Sequence, residues 1–166
     1  METVRRIRIG EGRLFKQIRL ASLRESPSAF EATYESALRR SPESWSSQSD
    51  GTAEGSDRAT FIAFTNNSPI GIAALYRKGE TDTGELLQVW ISPEHRSRGV
   101  ANDLMDAVFH WAGENCHRAV VATVTRDNTR ALRFYQKYGF KPLNETSPDS
   151  SDAPVVLAKD LNVCAR

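Results

Sequence analysis

Glu85-Leu86-Leu87-Gln88-Val89-Trp90-Ile91-Ser92-Pro93-Glu94-His95-Arg96-Ser97-Arg98-Gly99-Val100-Ala101 reads as a strand that runs into a tight basic loop, with the loop opening directly into a helix. Pro93 ends the strand. The first-turn amides of a helix lack internal partners, and the helix dipole adds partial positive charge there. Gly99 removes the side chain that would block close approach to the backbone, and Arg96 and Arg98 add full positive charge. Together these features make a site for an anion such as phosphate or pyrophosphate. Taken alone, the pattern fits a solvated basic turn before an ordinary helix equally well. Neither GxGxxG after a strand nor GxxxxGK[ST] occurs, which disfavours a nucleotide dehydrogenase or a kinase.

Downstream of the loop, Val100, Leu104 and Val108 recur at i, i+4, with Ala101, Met105 and Ala112 beside them. That predicts an amphipathic helix of about four turns ending near Gly113. The β-branched run 119–125 predicts a buried strand. Asn128 suits the cap of a short helix through Tyr138, and Gly139 its left-handed exit. Two late strands are expected at 140–143 and 155–158. Upstream, 60–65 and 70–76 form a hairpin about the turn Asn66-Asn67-Ser68-Pro69, and a second turn at 78–83 leads into the strand 85–91. At the N-terminal end, Leu14, Ile18 and Ala21 repeat at helical spacing beside Phe15. Pro27 breaks that helix. A second is expected over 28–40, with Phe30, Tyr34, Ala37 and Leu38 on or near one face. The polar stretches 41–57 and 144–154 read as loops. The order α, α, β, β, β, α, β, α, β, β puts a strand-helix-strand crossover between antiparallel hairpins, so the sheet should be mixed.

The chain of 166 residues has the length of one domain, with 39% apolar and 26% charged residues. No apolar run approaches the ~18 residues of a membrane span. Arg5, Arg6 and Arg8 have no apolar stretch behind them, so no secretory signal is expected and the cytoplasm is the expected location. Lys plus Arg is 22 and Asp plus Glu 21, a formal charge of +1 that argues against nucleic acid or an anionic membrane as main partner. Cys116 and Cys164 have no CxxC spacing and read as idle thiols in a reducing compartment. His110 and His117 have no acidic partner at metal spacing, so no metal is expected. Asn144-Glu145-Thr146 matches a glycosylation triplet, without weight in the absence of a secretory signal.

A second segment changes the weight of the first. Arg96-x-x-Gly99-x-Ala101 resembles the acetyl-CoA-binding loop of the GNAT superfamily of N-acetyltransferases. Asn128, Ala131, Tyr135 and Gly139-Phe140 follow the spacing of that superfamily's second conserved block. The resemblance is specific over 85–140 and loose over the N-terminal helices. It implies an α/β fold of the α+β type: a mixed, mostly antiparallel twisted sheet of about six to seven strands flanked by about four helices. Residues 1–166 are then a single N-acetyltransferase domain. It also implies acetyl-CoA as acyl donor, with the main chain of Val89, Trp90 and Ile91 bonding the pantetheine arm. The pyrophosphate would lie on the loop of Arg96, Ser97, Arg98, Gly99, Val100, Ala101 and Asn102, and Asn128 would reach the pantetheine.

Tyr135 matches the family's general acid, and core packing beside Phe134 and Tyr138 is the plainer alternative. The ordinary pKa values, ~10 for tyrosine and ~8.5 for a thiol, are taken at this point to allow protonation of a departing CoA thiolate. For the base, Glu85 lies six residues before Ile91, where the histone-acetyltransferase branch carries its glutamate. It is also roughly 13 Å along an ideal strand from Val89, so water or a bulge would have to intervene. Thr123 stands where some relatives carry a glutamate, and Glu80 and Asp82 are held in reserve. Phe30 and Tyr34 sit where relatives contact the acceptor, though both also suit a core. The expected activity is acetyl transfer to a primary amine of a small molecule or protein, in a ternary complex. The other class is a non-catalytic acyl-CoA-binding sensor or interaction module. Exposed late strand edges could support a homodimer.

Overall fold

The computed structural model describes residues 2–30, 32–143 and 153–161. An edge strand β1 (Glu2–Arg6) leads into helix α1 (Gly12–Glu25). After a single 3-10 turn (Pro27–Ala29) come α2 (Tyr34–Leu38) and α3 (Pro42–Ala53). The antiparallel strands β2 (Arg58–Thr65), β3 (Ser68–Arg77) and β4 (Thr83–Ile91) follow. Helix α4 (Val100–Glu114) carries the chain over to β5 (Ala119–Val124), and α5 (Thr129–Tyr138), β6 (Lys141–Pro142) and β7 (Val155–Asp160) complete the order. The strands lie as β1-β2-β3-β4-β5-β7-β6, and only the β4–β5 pairing is parallel. This is the expected mixed, mostly antiparallel sheet, with seven strands. Among the described helices none is long and apolar enough to cross a membrane.

Local chemistry accounts for most of these elements. Asn66 and Asn67 both take left-handed angles, φ 48° and 70°, the geometry of a tight two-residue hairpin turn. The Val100, Leu104 and Val108 stripe of α4 is buried with Met105 against Ala73, Leu75 and Leu86 on one sheet face. On the other face Phe15, Ile18 and Leu23 of α1 pack with Trp45, Ile62, Ile72 and Trp90. Each such side chain contributes about 1.5–3 kcal/mol when fully buried.

Three expectations are corrected. The helix expected over 28–40 is broken: Pro27 starts the 3-10 turn, Phe30 is extended, and α2 begins only where the Thr33 hydroxyl accepts from the Ser36 amide. The loop expected over 41–57 holds α3. Ser41 caps it by accepting from the Ser44 amide, Pro42 occupies the first turn, and Trp45 lies edge-on to Phe15 at 5.6 Å. Its stability comes from a cap and one large anchor rather than an apolar stripe. Cys116 is in a disulfide rather than an idle thiol, since spacing along a chain says nothing about pairing in space. Cys164, Asn144-Glu145-Thr146 and most of the loop expected at 144–154 lie outside the described residues.

Candidate functional site

The site begins with a fault in the sheet. Ala74 pairs with Leu87 and Ile72 with Trp90, so Gln88 and Val89 together face the single residue Ala73. Gln88 takes φ 61°, which makes the extra residue a bulge and bends the strand. On its other edge β4 pairs with β5 only from Thr83–Ala119 to Leu86–Ala122. Beyond that point β5 continues on β7, and the β5-facing edge of 87–91 is left unpaired.

The gap is a cleft of about 390 Å³. Val89, Trp90 and Ile91 line one wall, and Asn128, Ala131, Phe134 and Tyr135 of the α5 region line another. Ser97, Gly99, Ala101 and Asn102 bring the start of α4 to its rim. Ser97 at φ 68° and Gly99 at φ 85° put alternating left-handed turns into the loop, a backbone that collects amides around an anion. A Cβ on Gly99 would meet nothing within 4 Å, so the space beside these amides is open. The Val100 side chain is buried in the core, which leaves only its main chain to serve a ligand.

Arg96 also lines the cleft, with its side chain engaged by protein groups. Its Nε donates to the Ile91 carbonyl at 3.0 Å, and its guanidinium pairs with Glu25 at the end of α1. The Trp90 indole N–H donates to the same carboxylate at 3.0 Å. Burial works to raise the Glu25 carboxyl, but hydrogen bonds from Ser26, Trp90 and Arg96 outweigh it and hold the group below its ordinary range. Loop, β4 and α1 are thus tied at one carboxylate. The Arg98 side chain makes no hydrogen bond or ion pair among the described residues.

Asn128 Oδ1 accepts from the Ala131 amide at 3.2 Å, capping α5, and the residue lines the cleft. Tyr135 is 6% exposed and packed edge-on to Phe134 and Phe140, with ring centroids at 5.4 and 5.2 Å. Burial pushes its hydroxyl well above the usual tyrosine value. Full protonation of the CoA thiolate by Tyr135, expected from ordinary pKa values, is therefore unfavourable. An acid of pKa ~10 gives its proton to a thiolate of ~8.5 at a cost of about 2 kcal/mol, and a raised tyrosine makes full transfer costlier.

Glu85 stands opposite Tyr76 and Val121, on the still-paired part of β4, and does not line the cleft. Asp82 is engaged with Arg118 at 3.5 Å, before β4 begins. Among the described residues no carboxylate lines the cleft. Phe30 lines it, whereas Tyr34 does not and instead carries the Arg24 guanidinium over its ring at 5.6 Å. Sequence reasoning missed His95 and Gln88. His95 lines the cleft with a buried, unpartnered Nδ1, and Gln88 has a buried, unpartnered Oε1 at the bulge. The position of His95 inside the basic loop was the only available signal. Among the described residues no group of three or more His, Cys, Asp or Glu could hold a metal. His110 meets Glu114 at 3.0 Å, and His117 stacks on Trp111.

Comparison with known proteins agrees with this geometry. The model of the acetyltransferase (GNAT) family matches residues 23–140. An uncharacterized N-acetyltransferase of Methanocaldococcus jannaschii is 24% identical over 86 residues, which is 49% of this chain and 38% of that protein. N-acetylaspartate synthetase of Danio rerio is 28% identical over 86 residues, 52% of this chain and 30% of that protein. The chain thus matches about a third of the length of these curated relatives. Among solved structures, an acetyltransferase of the GNAT family from Streptococcus pneumoniae superposes with a TM-score of 0.80 at 16% identity, covering 97% of this chain and 99% of that one. PaiA N-acetyltransferase from Thermoplasma acidophilum, solved in complex with coenzyme A, gives 0.77 at 19% identity over the same shares.

Proposed function

Because the chain belongs to the GNAT family of acetyltransferases, we propose that it moves the acetyl group of acetyl-CoA to a primary amine by direct attack, with both substrates held in the cleft between β4 and β5. The parting of those strands after Leu86 and Ala122 carries this reading, because it leaves a free strand edge beside an open helix N-terminus. Residues 1–166 act as one N-acetyltransferase domain, with the cofactor-binding core at 85–140.

In this reading Val89, Trp90 and Ile91 offer main-chain groups to the pantetheine arm as a neighbouring strand would. The amides of Ser97, Arg98, Gly99, Val100, Ala101 and Asn102 take the pyrophosphate, and Arg98 adds charge from the surface. Arg96 serves indirectly, by pinning the loop to Ile91 and Glu25. Asn128 turns its side-chain N–H groups to the pantetheine while its oxygen caps α5. Acetyl-CoA supplies an activated thioester, and no metal is called on. A backbone amide at the Gln88–Val89 bulge holds the carbonyl oxygen as charge develops on it. Tyr135 donates a hydrogen bond to the sulfur as it gains charge, without handing over its proton fully. An amine of pKa ~10.4 arrives mostly protonated. With no carboxylate among the described residues at the cleft wall, its proton leaves through water, toward Glu85 or the solvent.

That same lack of a carboxylate among the described lining residues favours a second reading, an acyl-CoA-binding module without turnover. One experiment separates the two. Acetyl-CoA at a hundred times its Kd should stabilise the fold by ~2.7 kcal/mol, a rise of roughly 5–10 °C in Tm. Thiol release from acetyl-CoA against a panel of amines then reports turnover. A Tm shift without release on any amine favours the module, and no shift at millimolar acetyl-CoA removes both readings.

A further inference from the structure

Arg19 is 7% exposed, yet it meets no carboxylate among the described residues. Its one hydrogen bond goes from Nη1 to the Ser22 hydroxyl at 3.3 Å, a long contact that leaves most of the guanidinium's donors unused. A buried cation without an anion is costly, and native proteins rarely leave one so. Its other contact is an aromatic face: the guanidinium lies 5.1 Å from the centre of the Phe30 ring, and Phe30 lines the reaction cleft.

Arg40 repeats the arrangement close by. It stacks over Trp45 at 3.9 Å and donates to the Ser44 hydroxyl and carbonyl at 2.9 and 3.1 Å, again with no carboxylate among the described residues. Burial pushes Arg19 down to about 10, with Tyr76 opposing and Arg40 adding to the effect, so the two guanidiniums feel each other's charge. The Tyr76 hydroxyl accepts from Gln48 at 3.2 Å, so its own proton is left to donate. Aromatic stacking fixes a guanidinium's plane while leaving its edge N–H groups to a ligand. Two adjacent cations, each held by a ring and neither neutralised, are what an anionic group would complete. A planar fork of N–H donors matches a carboxylate in particular.

We propose that Arg19, with Arg40 and Tyr76 beside it, binds a carboxylate of the acceptor, so that the substrate is an amine that also carries a carboxylate, such as an amino acid. This rests on the acetyltransferase reading above. Phe30 lines the cleft whereas Arg19, Arg40 and Tyr76 do not, so the carboxylate extends from the cleft past the Phe30 ring to Arg19. The carboxylate then sits on the α1–α2 side of the sheet while the amino group reaches toward the bulge in β4. It also gives the near-neutral chain a local means of orienting a small zwitterion, which net charge does not reveal.

The test is thiol release from acetyl-CoA with the full chain, using L-amino acids and their matched L-amino acid amides. The amides have less basic amino groups, so amine reactivity alone favours them. At least one amino acid is expected to exceed its amide about thirtyfold or more in kcat/KM. Arg19→Met should raise the KM for that amino acid by a similar factor, with kcat within about threefold and an unchanged Tm shift with acetyl-CoA. Arg19→Lys, which keeps the charge and loses the fork, should fall between. Equal rates on acids and amides, or a normal KM in Arg19→Met, overturn the proposal while leaving acetyl transfer standing. Preference for an aminoalkyl phosphate over every amino acid overturns the carboxylate assignment. No turnover on any amino acid, with the acetyl-CoA shift intact, overturns it too; loss of that shift as well brings down the acetyltransferase reading beneath it. Glu31 follows Phe30 in the sequence and lies outside the described residues, and its carboxylate is tested as a rival to the substrate's. If Glu31→Gln lowers the Tm as a lost ion pair would and leaves the acid-to-amide ratio at one, Arg19 is an internal partner and the proposal fails.

Discussion

Tyr135 is held in place by rings on both sides, so its hydroxyl can be removed with little disturbance to the packing. A hydrogen bond to a developing thiolate is worth about 1.5–3 kcal/mol, or roughly 10–150-fold in rate. Tyr135→Phe should therefore lower kcat by about that factor in the thiol-release assay. The KM for acetyl-CoA should barely change, and stability should stay within ~1 kcal/mol. A near-normal kcat would return the residue to the core. Gly99 poses a different question, because its φ of 85° strains any L side chain although nothing crowds the space. Gly99→Ala should cost about 1–2 kcal/mol of stability. Acetyl-CoA affinity should fall at least tenfold, since the new methyl occupies the open ground beside the loop amides. Calorimetric titration of the folded variant checks this, and unchanged affinity would make the glycine a turn residue only. The Asn128 cap and the place of Tyr135 on the same helix were legible in the sequence, because one short helix fixes their spacing. The engagement of Arg96 with Glu25 was not, because that partner lies 71 residues upstream.

Among the elements, α4, α5 and the β2–β3 hairpin could be read directly, since an apolar stripe, an Asn cap with a Gly exit, and an Asn-Asn turn are local signals. Helix α3 could not. Trp45 and Ala53 are its only buried apolar residues, and a run of serines reads as loop. Its existence depends on Ser41 and on contacts with α1 that appear only after folding. Ser41→Ala should destabilise by about 1 kcal/mol, a fall of roughly 2–4 °C in Tm, with acetyl-CoA affinity unchanged. A thermal melt with and without acetyl-CoA measures both. Strand β1 was missed for a related reason: three of its five residues are charged, as an edge strand allows. The bulge at Gln88 is a property of register between two strands and has no signature in either one. The gap likewise depends on where the pairing of two strands stops, which neither strand signals alone.

At the scale of the whole molecule, the sheet separates two layers, α1 and α3 on one face and α4 with α5 on the other. The gap after Leu86 and Ala122 is lined from both layers, by Ser26, Ala29 and Phe30 from one and by Asn128, Phe134 and Tyr135 from the other. In the proposed reaction, a gap lined from both layers offers two doorways. A nucleotide-bearing donor entering by the α4 side need not obstruct an amine entering by the α1 side, so neither has to wait for the other. Initial-rate measurements at several fixed acceptor concentrations should then give double-reciprocal lines that intersect. A dead-end analogue of either substrate should compete with its own counterpart and be noncompetitive against the other. Parallel lines would mean that the acetyl group rests on the protein between two half-reactions, and that both visitors use the same door in turn.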